Sequence, residues 1–246
     1  MDETTLHGLQ TTEFTYQWYG DFLEWLRGRG YEFGSFDGRP SSGEVLLRHD
    51  VDLSVEAALR MARIEADHGV RSAYFFLLTS SLYNVFERPA RAQIREIESL
   101  GHDVGLHFST HTYWPKADLP REDELTARVE TELSALDTVV EEPLTTVSFH
   151  IPPIWVLDRA FEHVPSTYEP QYFSEIGYLA DSGQRWRDQP PTARDFPETL
   201  QVLTHPGLWH DDDATFEECI ERAIVDRCRT SRDMATREFI AGEFSR

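Results

Sequence analysis

Apolar residues along the chain fall into two periods. Phe14, Trp18, Phe22, Trp25 and Leu26 recur at three- and four-residue spacings, one face of a helix, and Gly28 and Gly30 close it. Val55, Ala58, Leu59, Ala62 and Ala66 repeat the pattern up to Gly69, as do Ile94, Ile97 and Leu100 up to Gly101. Leu125, Val129, Leu133, Leu136 and Val140 mark a long helix, and Phe216, Cys219, Ile220, Ala223 and Ile224 mark the last one. Between them lie compact apolar runs of strand length at 45–47, 73–78, 104–106, 146–149, 178–180 and 201–203, with 31–36 as a further short candidate. Strands alternating with helices imply right-handed crossovers and a mostly parallel sheet, either doubly wound or closed as a β/α barrel. In both, function gathers at the carboxyl ends of the strands.

Five of these runs end in a histidine or an aspartate. The first leads into Arg48-His49-Asp50-Val51-Asp52 and the third into His107 and on to His111; later runs lead into His150, Asp181 and His205. Asp50 and Asp52 alternate by two, so in extended chain both carboxylates face one way and repel unless a cation or a shared proton compensates. The alternative for Asp52 is a cap on the helix that begins near Ser54 or Val55. His107 and His111 are four apart, which on a helical turn is a common two-ligand arrangement for a divalent metal. The alternative is a pair of surface histidines on a polar loop. Two histidines and one carboxylate leave an open position for water and suit zinc, iron or manganese. His102 and Asp103 stand at the amino end of their strand and read as structural, His68 and His163 read as surface groups, and the acidic run 211–213 reads as a helix N-terminus.

The stretch Gly101-His102-Asp103-Val104-Gly105-Leu106-His107-Phe108-Ser109-Thr110-His111 resembles the second motif of the polysaccharide deacetylase family, also called the NodB-homology domain or carbohydrate esterase family 4. Arg48-His49-Asp50-Val51-Asp52 resembles the first motif, in the H-D-V-D form of a branch associated with surface-polysaccharide gene clusters. Phe149-His150-Ile151-Pro152-Pro153 is similar to the third motif, with His150 where an arginine is usual. Asp181-Ser182 with Trp186-Arg187 resembles the fourth, and Leu203-Thr204-His205-Pro206 the last. The resemblance covers residues 44–210 and implies an α/β fold, an irregular (β/α)7 barrel, within a single domain 1–246. Residues 1–43 are then an N-terminal extension and 211–246 a C-terminal helix.

By the same resemblance the chain is a metal-dependent hydrolase that removes an N-acetyl group from a sugar or polysaccharide precursor. Asp50 is the base by order in the motif, with exchange of roles with Asp52 left open, and His205 is the general acid. Asp52, His107 and His111 hold one divalent metal, zinc first, with iron, manganese, cobalt or nickel as alternatives. Arg48 or His150 takes the place of the missing arginine beside the base. Arg48, His150, Asp181 and Trp186 form the substrate-binding set. Trp114, Trp155, Trp186 and Trp209 have two roles open to them, stacking on sugar rings and core packing. The alternatives are hydrolysis of another C–N bond, as in cyclic imides or ureides, and a non-catalytic relative that binds metal or glycan.

Charge narrows the partners. Asp plus Glu number 44 against 23 Lys plus Arg, a formal net charge of −21, which disfavours nucleic acid and anionic membrane surfaces. The opening MDETTLHGLQ has neither a basic region nor an apolar run, and no stretch of about 18 apolar residues occurs. A cytoplasmic location without membrane insertion is expected, with an N-acetylated sugar, a nucleotide-sugar or a lipid-linked glycan as partner. Cys219 and Cys228 lie nine apart in an expected helix, too far for a disulfide, and read as free thiols. Lys116 is the only lysine, and an acidic, lysine-poor surface fits work in high salt, an arginine-rich genome being the alternative. Salt screens the self-repulsion of such a chain, so its melting temperature is expected to rise from tens of millimolar into molar KCl. A flat or falling melting temperature over that range removes the halophilic reading.

Overall fold

The computed structural model describes residues 9–115, 118–193 and 197–241. Helix α1 (Tyr16–Gly28) is capped by Thr15, whose side chain accepts from the Trp18 amide. Strands β1 (Glu32–Gly34) and β2 (Glu44–Val51) follow, then α2 (Val55–Asp67), β3 (Ala73–Phe76), α3 (Arg88–Ser99) and β4 (Asp103–Phe108). Helix α4 (Glu122–Leu136), β5 (Ser148–Phe149), the short α5 (Pro170–Phe173), β6 (Gly177–Ala180), β7 (Leu200–Thr204) and α6 (Phe216–Ala235) complete the chain. All the pairings are parallel, in the order β5-β4-β3-β2-β7-β6, with β1 beside the first half of β2. The sheet curls into an irregular β/α barrel, as the motifs imply.

Period-two alternation in β2 sorts its side chains. Val45 and Leu47 face outward into a core with α1, while Leu46 joins Phe36, Ala73, Phe75 and Tyr172 in a plug inside the barrel. Gly105 belongs to that plug: a Cβ there would stand 2.7 Å from the Phe75 ring. Above the plug, on the same face as Leu46, come Arg48 and Asp50, 0% and 2% exposed. The apolar run 45–47 suggests a shorter strand. Pairing with β3 and β7 carries β2 through the polar residues because each of them finds a buried partner.

The sheet has no direct pairing between β5 and β6. Residues 165–167 close this seam. The Val147 amide donates to the Pro165 carbonyl at 2.9 Å and the Thr167 amide to the Val147 carbonyl at 3.0 Å. From β7, Gln201 Nε2 donates to the Thr167 carbonyl at 3.0 Å. Arg48 then reaches across the interior. It donates to the Thr167 hydroxyl, to Gln201 Oε1 at 2.9 Å and to the Tyr168 hydroxyl at 2.7 Å.

On the outer face of β2 a second polar group is sealed under α2. Glu65 accepts from the Tyr19 hydroxyl, from Tyr74 at 2.7 Å and from Ser72 at 2.6 Å, and its Oε1 lies 2.7 Å from His49 Nε2. His49 Nδ1 meets the Thr204 hydroxyl at 2.7 Å, and His102 bonds the Ala62 carbonyl and Ser72. Burial alone raises the Glu65 pKa, but His49, His102 and Ser72 outweigh it and draw it down to about 2. A carboxylate depressed in the folded state stabilises above its unfolded value, and the effect is lost as pH falls through the folded one. Stability on the order of 3 kcal/mol is therefore expected to disappear between about pH 4.5 and pH 2. Denaturant titrations across this window check it: Glu65→Gln should flatten the curve there, and an unchanged slope removes the assignment.

Candidate metal and catalytic centre

All five polar strand ends meet at the carboxyl face of the barrel. Asp52 lies just past β2, His107 near the end of β4, His150 just past β5, Asp181 just past β6 and His205 just past β7. Together they stand in or beside a cavity of about 480 Å³.

Three donor atoms form a small triangle at its base. Asp52 Oδ1 is 3.2 Å from His107 Nε2 and 3.0 Å from His150 Nδ1, and the two ring nitrogens are 3.2 Å apart. Asp52 Oδ1 is buried and receives no aligned hydrogen bond. Two imidazoles and a carboxylate that share one ion at 2.0–2.2 Å stand about 3–3.5 Å apart, so these side chains fit a divalent cation as they are. Among the described residues this is the group of His, Cys, Asp and Glu that gathers in this way.

His111 lies outside the triangle. His107 sits on a strand and His111 in the 3-10 turn Thr110–Thr112, so the helical spacing that would align them does not exist. The His111 Nε2 instead faces the Ile151 carbonyl at 3.0 Å. His150 occupies the third corner. It shares the period-two face of Ser148, a signal present in the sequence as plainly as that of Asp50 and Asp52. Asp52 does not cap α2 either, because Ser54 does, accepting from the Ala57 amide.

A chain of hydrogen bonds links the triangle to Asp50. The Ser148 hydroxyl donates to Asp50 Oδ1 at 2.8 Å, which leaves its oxygen to accept from His107 Nδ1 at 3.0 Å. With the proton on Nδ1, His107 turns the lone pair of Nε2 toward the triangle. Ser148 is the residue that sequence reasoning missed. The other Asp50 oxygen accepts from Arg48 at 3.0 Å. Burial raises the Asp50 pKa, yet Arg48 first, then His107 and His205, hold the carboxyl below its usual range. Arg48 is fully buried and too deep to touch a substrate.

On the opposite side of the triangle, His205 Nδ1 binds Asp181 Oδ1 and its Nε2 stands 4.0 Å from Asp52 Oδ2. Asp181 also accepts from the His205 amide at 3.0 Å and from Trp209 Nε1 at 2.9 Å. Burial lowers the His205 pKa, but the Asp181 carboxylate outweighs it and lifts the ring to about 9. Asp181 is fully buried and acts on His205, not on the cavity contents. Trp186 is a correction: it is 2% exposed and packs on Trp18, Phe22 and Trp209 under α1, where its apolar area is worth more than at a wet rim.

No protein-family model matches the chain, and no curated protein matches it. Solved structures do. A family 4 carbohydrate esterase pseudoenzyme from Bacillus anthracis is 16% identical with a TM-score of 0.46, over 78% of this chain and 63% of that one, less than two thirds of its length. A family 4 esterase from Streptococcus mutans is 12% identical with a TM-score of 0.46, over 85% and 91%. A peptidoglycan N-acetylglucosamine deacetylase is 15% identical with a TM-score of 0.42, over 83% and 90%. Among the solved structures to which this chain is similar are thus a family 4 carbohydrate esterase, a family 4 pseudoenzyme and a deacetylase.

Proposed function

We propose that the chain is a metal-dependent hydrolase of an acyl amide, with an N-acetyl group on an amino sugar as the substrate group. The observation that carries this reading is the triangle of Asp52, His107 and His150 between two differently tuned groups, Asp50 and His205. One divalent cation, zinc first for two imidazoles and a carboxylate, supplies Lewis-acid polarisation of the acyl carbonyl and acidifies water at the site. Asp50, kept ionised by Arg48, accepts the proton of the attacking water. His205, kept protonated by Asp181, delivers a proton from Nε2 to the leaving nitrogen as the C–N bond breaks. The products are a carboxylic acid and an amine. Ester deacylation needs the same groups and an easier leaving oxygen. A protein that only binds a glycan needs neither a carboxylate held ionised in the interior nor an Asp–His pair aimed at the same point, so these features support the hydrolase over the binding relative.

Two predictions separate the roles. Titration of the purified protein with zinc should reach one equivalent. Asp52→Asn and His150→Ala should each lose at least about tenfold in affinity, while His111→Ala keeps it. Weakening by His111→Ala as deep as that by His150→Ala would move the third corner back to His111.

Asp50→Asn and His205→Ala should retain the metal and lose about 10²–10⁴-fold in deacetylation rate. Melting curves of the same preparations show that the fold survives. Loss of metal in Asp50→Asn but not in Asp52→Asn would exchange their roles. Full activity in every variant overturns the hydrolase reading.

A further inference from the structure

The walls of the cavity are apolar. Leu53, Leu208, Leu157 and Phe173 line it, with Phe216 and Ile220 of α6. Phe216 is 39% exposed in a first turn fixed by the Thr215–Glu218 capping box, and it sits one helical turn from Ile220 on the same face. Apart from the residues of the centre, the polar lining is Tyr168, Tyr178, Ser182 and Arg185. Tyr168 is already engaged by Arg48. A run of sugar rings carries hydroxyls that must be rebonded when they leave water, and these walls offer few partners. An apolar body loses nothing there and gains by burial.

Apart from His205 of the centre, one cation stands at the cavity. Arg185 is exposed, its Nε donates to the Ser182 carbonyl, and among the described residues it makes no ion pair, in a chain with 44 acidic residues. The turn that presents it is strained, with Gly183 at φ +61° and Gln184 at φ +55°. The buried Gln184 side chain holds that turn, donating to the Ala214 carbonyl at 2.8 Å and accepting from Arg187 at 2.9 Å. A left-handed non-glycine residue persists only where the surroundings enforce it.

Resting on the hydrolase reading above, we propose that the substrate is an acyl amide whose body carries an apolar arm with an anionic group, carboxylate or phosphate. The arm lies along Phe216 and Ile220, and the anion pairs with Arg185.

The test compares methyl, hexyl, 5-carboxypentyl and 5-phosphonopentyl glycosides of N-acetylglucosamine on the zinc-loaded protein. The hexyl glycoside should exceed the methyl by about tenfold or more in kcat/KM, carried by KM. At least one anionic arm should exceed the hexyl by a further factor of about 5, and which one does so separates carboxylate from phosphate. Arg185→Gln should bring the anionic-to-hexyl ratio close to one. Phe216→Ala should cut the hexyl-to-methyl ratio. Equal rates on all four probes overturn the arm and leave the hydrolase standing. If no probe turns over although zinc is bound, the hydrolase reading fails, and calorimetric titration of the same four glycosides still decides the arm: equal affinities overturn it.

Discussion

Inside the barrel a guanidinium and a carboxylate meet at 3.0 Å with almost no access to solvent. Taking two ions out of water costs several kcal/mol each, and the pair is tolerated only if the remaining donors and acceptors are also satisfied. That requirement reaches far into the structure. Arg48 needs Thr167, Tyr168 and Gln201, so the segment across the seam must lie where it does. Asp50 needs Ser148, so β5 must register with β4. Through Ser148 the same demand turns the His107 ring. The geometry of the candidate centre is thus a by-product of solvating one buried arginine with protein.

Much of this was legible in the sequence. The three- and four-residue spacings located the long helices, and the apolar runs located the strands to within a few residues. The aspartates and histidines at five strand ends announced a single centre. What failed was the transfer of a helical rule to His107 and His111, because a strand and a 3-10 turn lie where a helix was needed. The alternation of Ser148 and His150 carried the missing corner. Nothing local marks residues 165–167 as the closing segment, since they pair through a bridge and through side chains far away in sequence. The tryptophans were ambiguous for a different reason: an indole suits a core and a sugar platform equally until the neighbours are known.

The fold by itself decides little about chemistry. The chemistry must be sought in side chains. Here Asp50 and His205 experience opposite fields within one cavity, one held ionised by a cation, the other held protonated by an anion.

The seam has a mechanical consequence. Strand β5 is two residues long and borders the place where the sheet is interrupted, yet it leads into His150. Asp52 follows the central strand and His107 belongs to the one beside β5. An ion shared by these three would be a covalent-like staple, closing loops of roughly 40–60 residues in the unfolded chain, and closures of that length are worth a few kcal/mol. Chelators should then loosen the barrel first at its seam, where hydrogen exchange of the residues around 147 and 167 would report it.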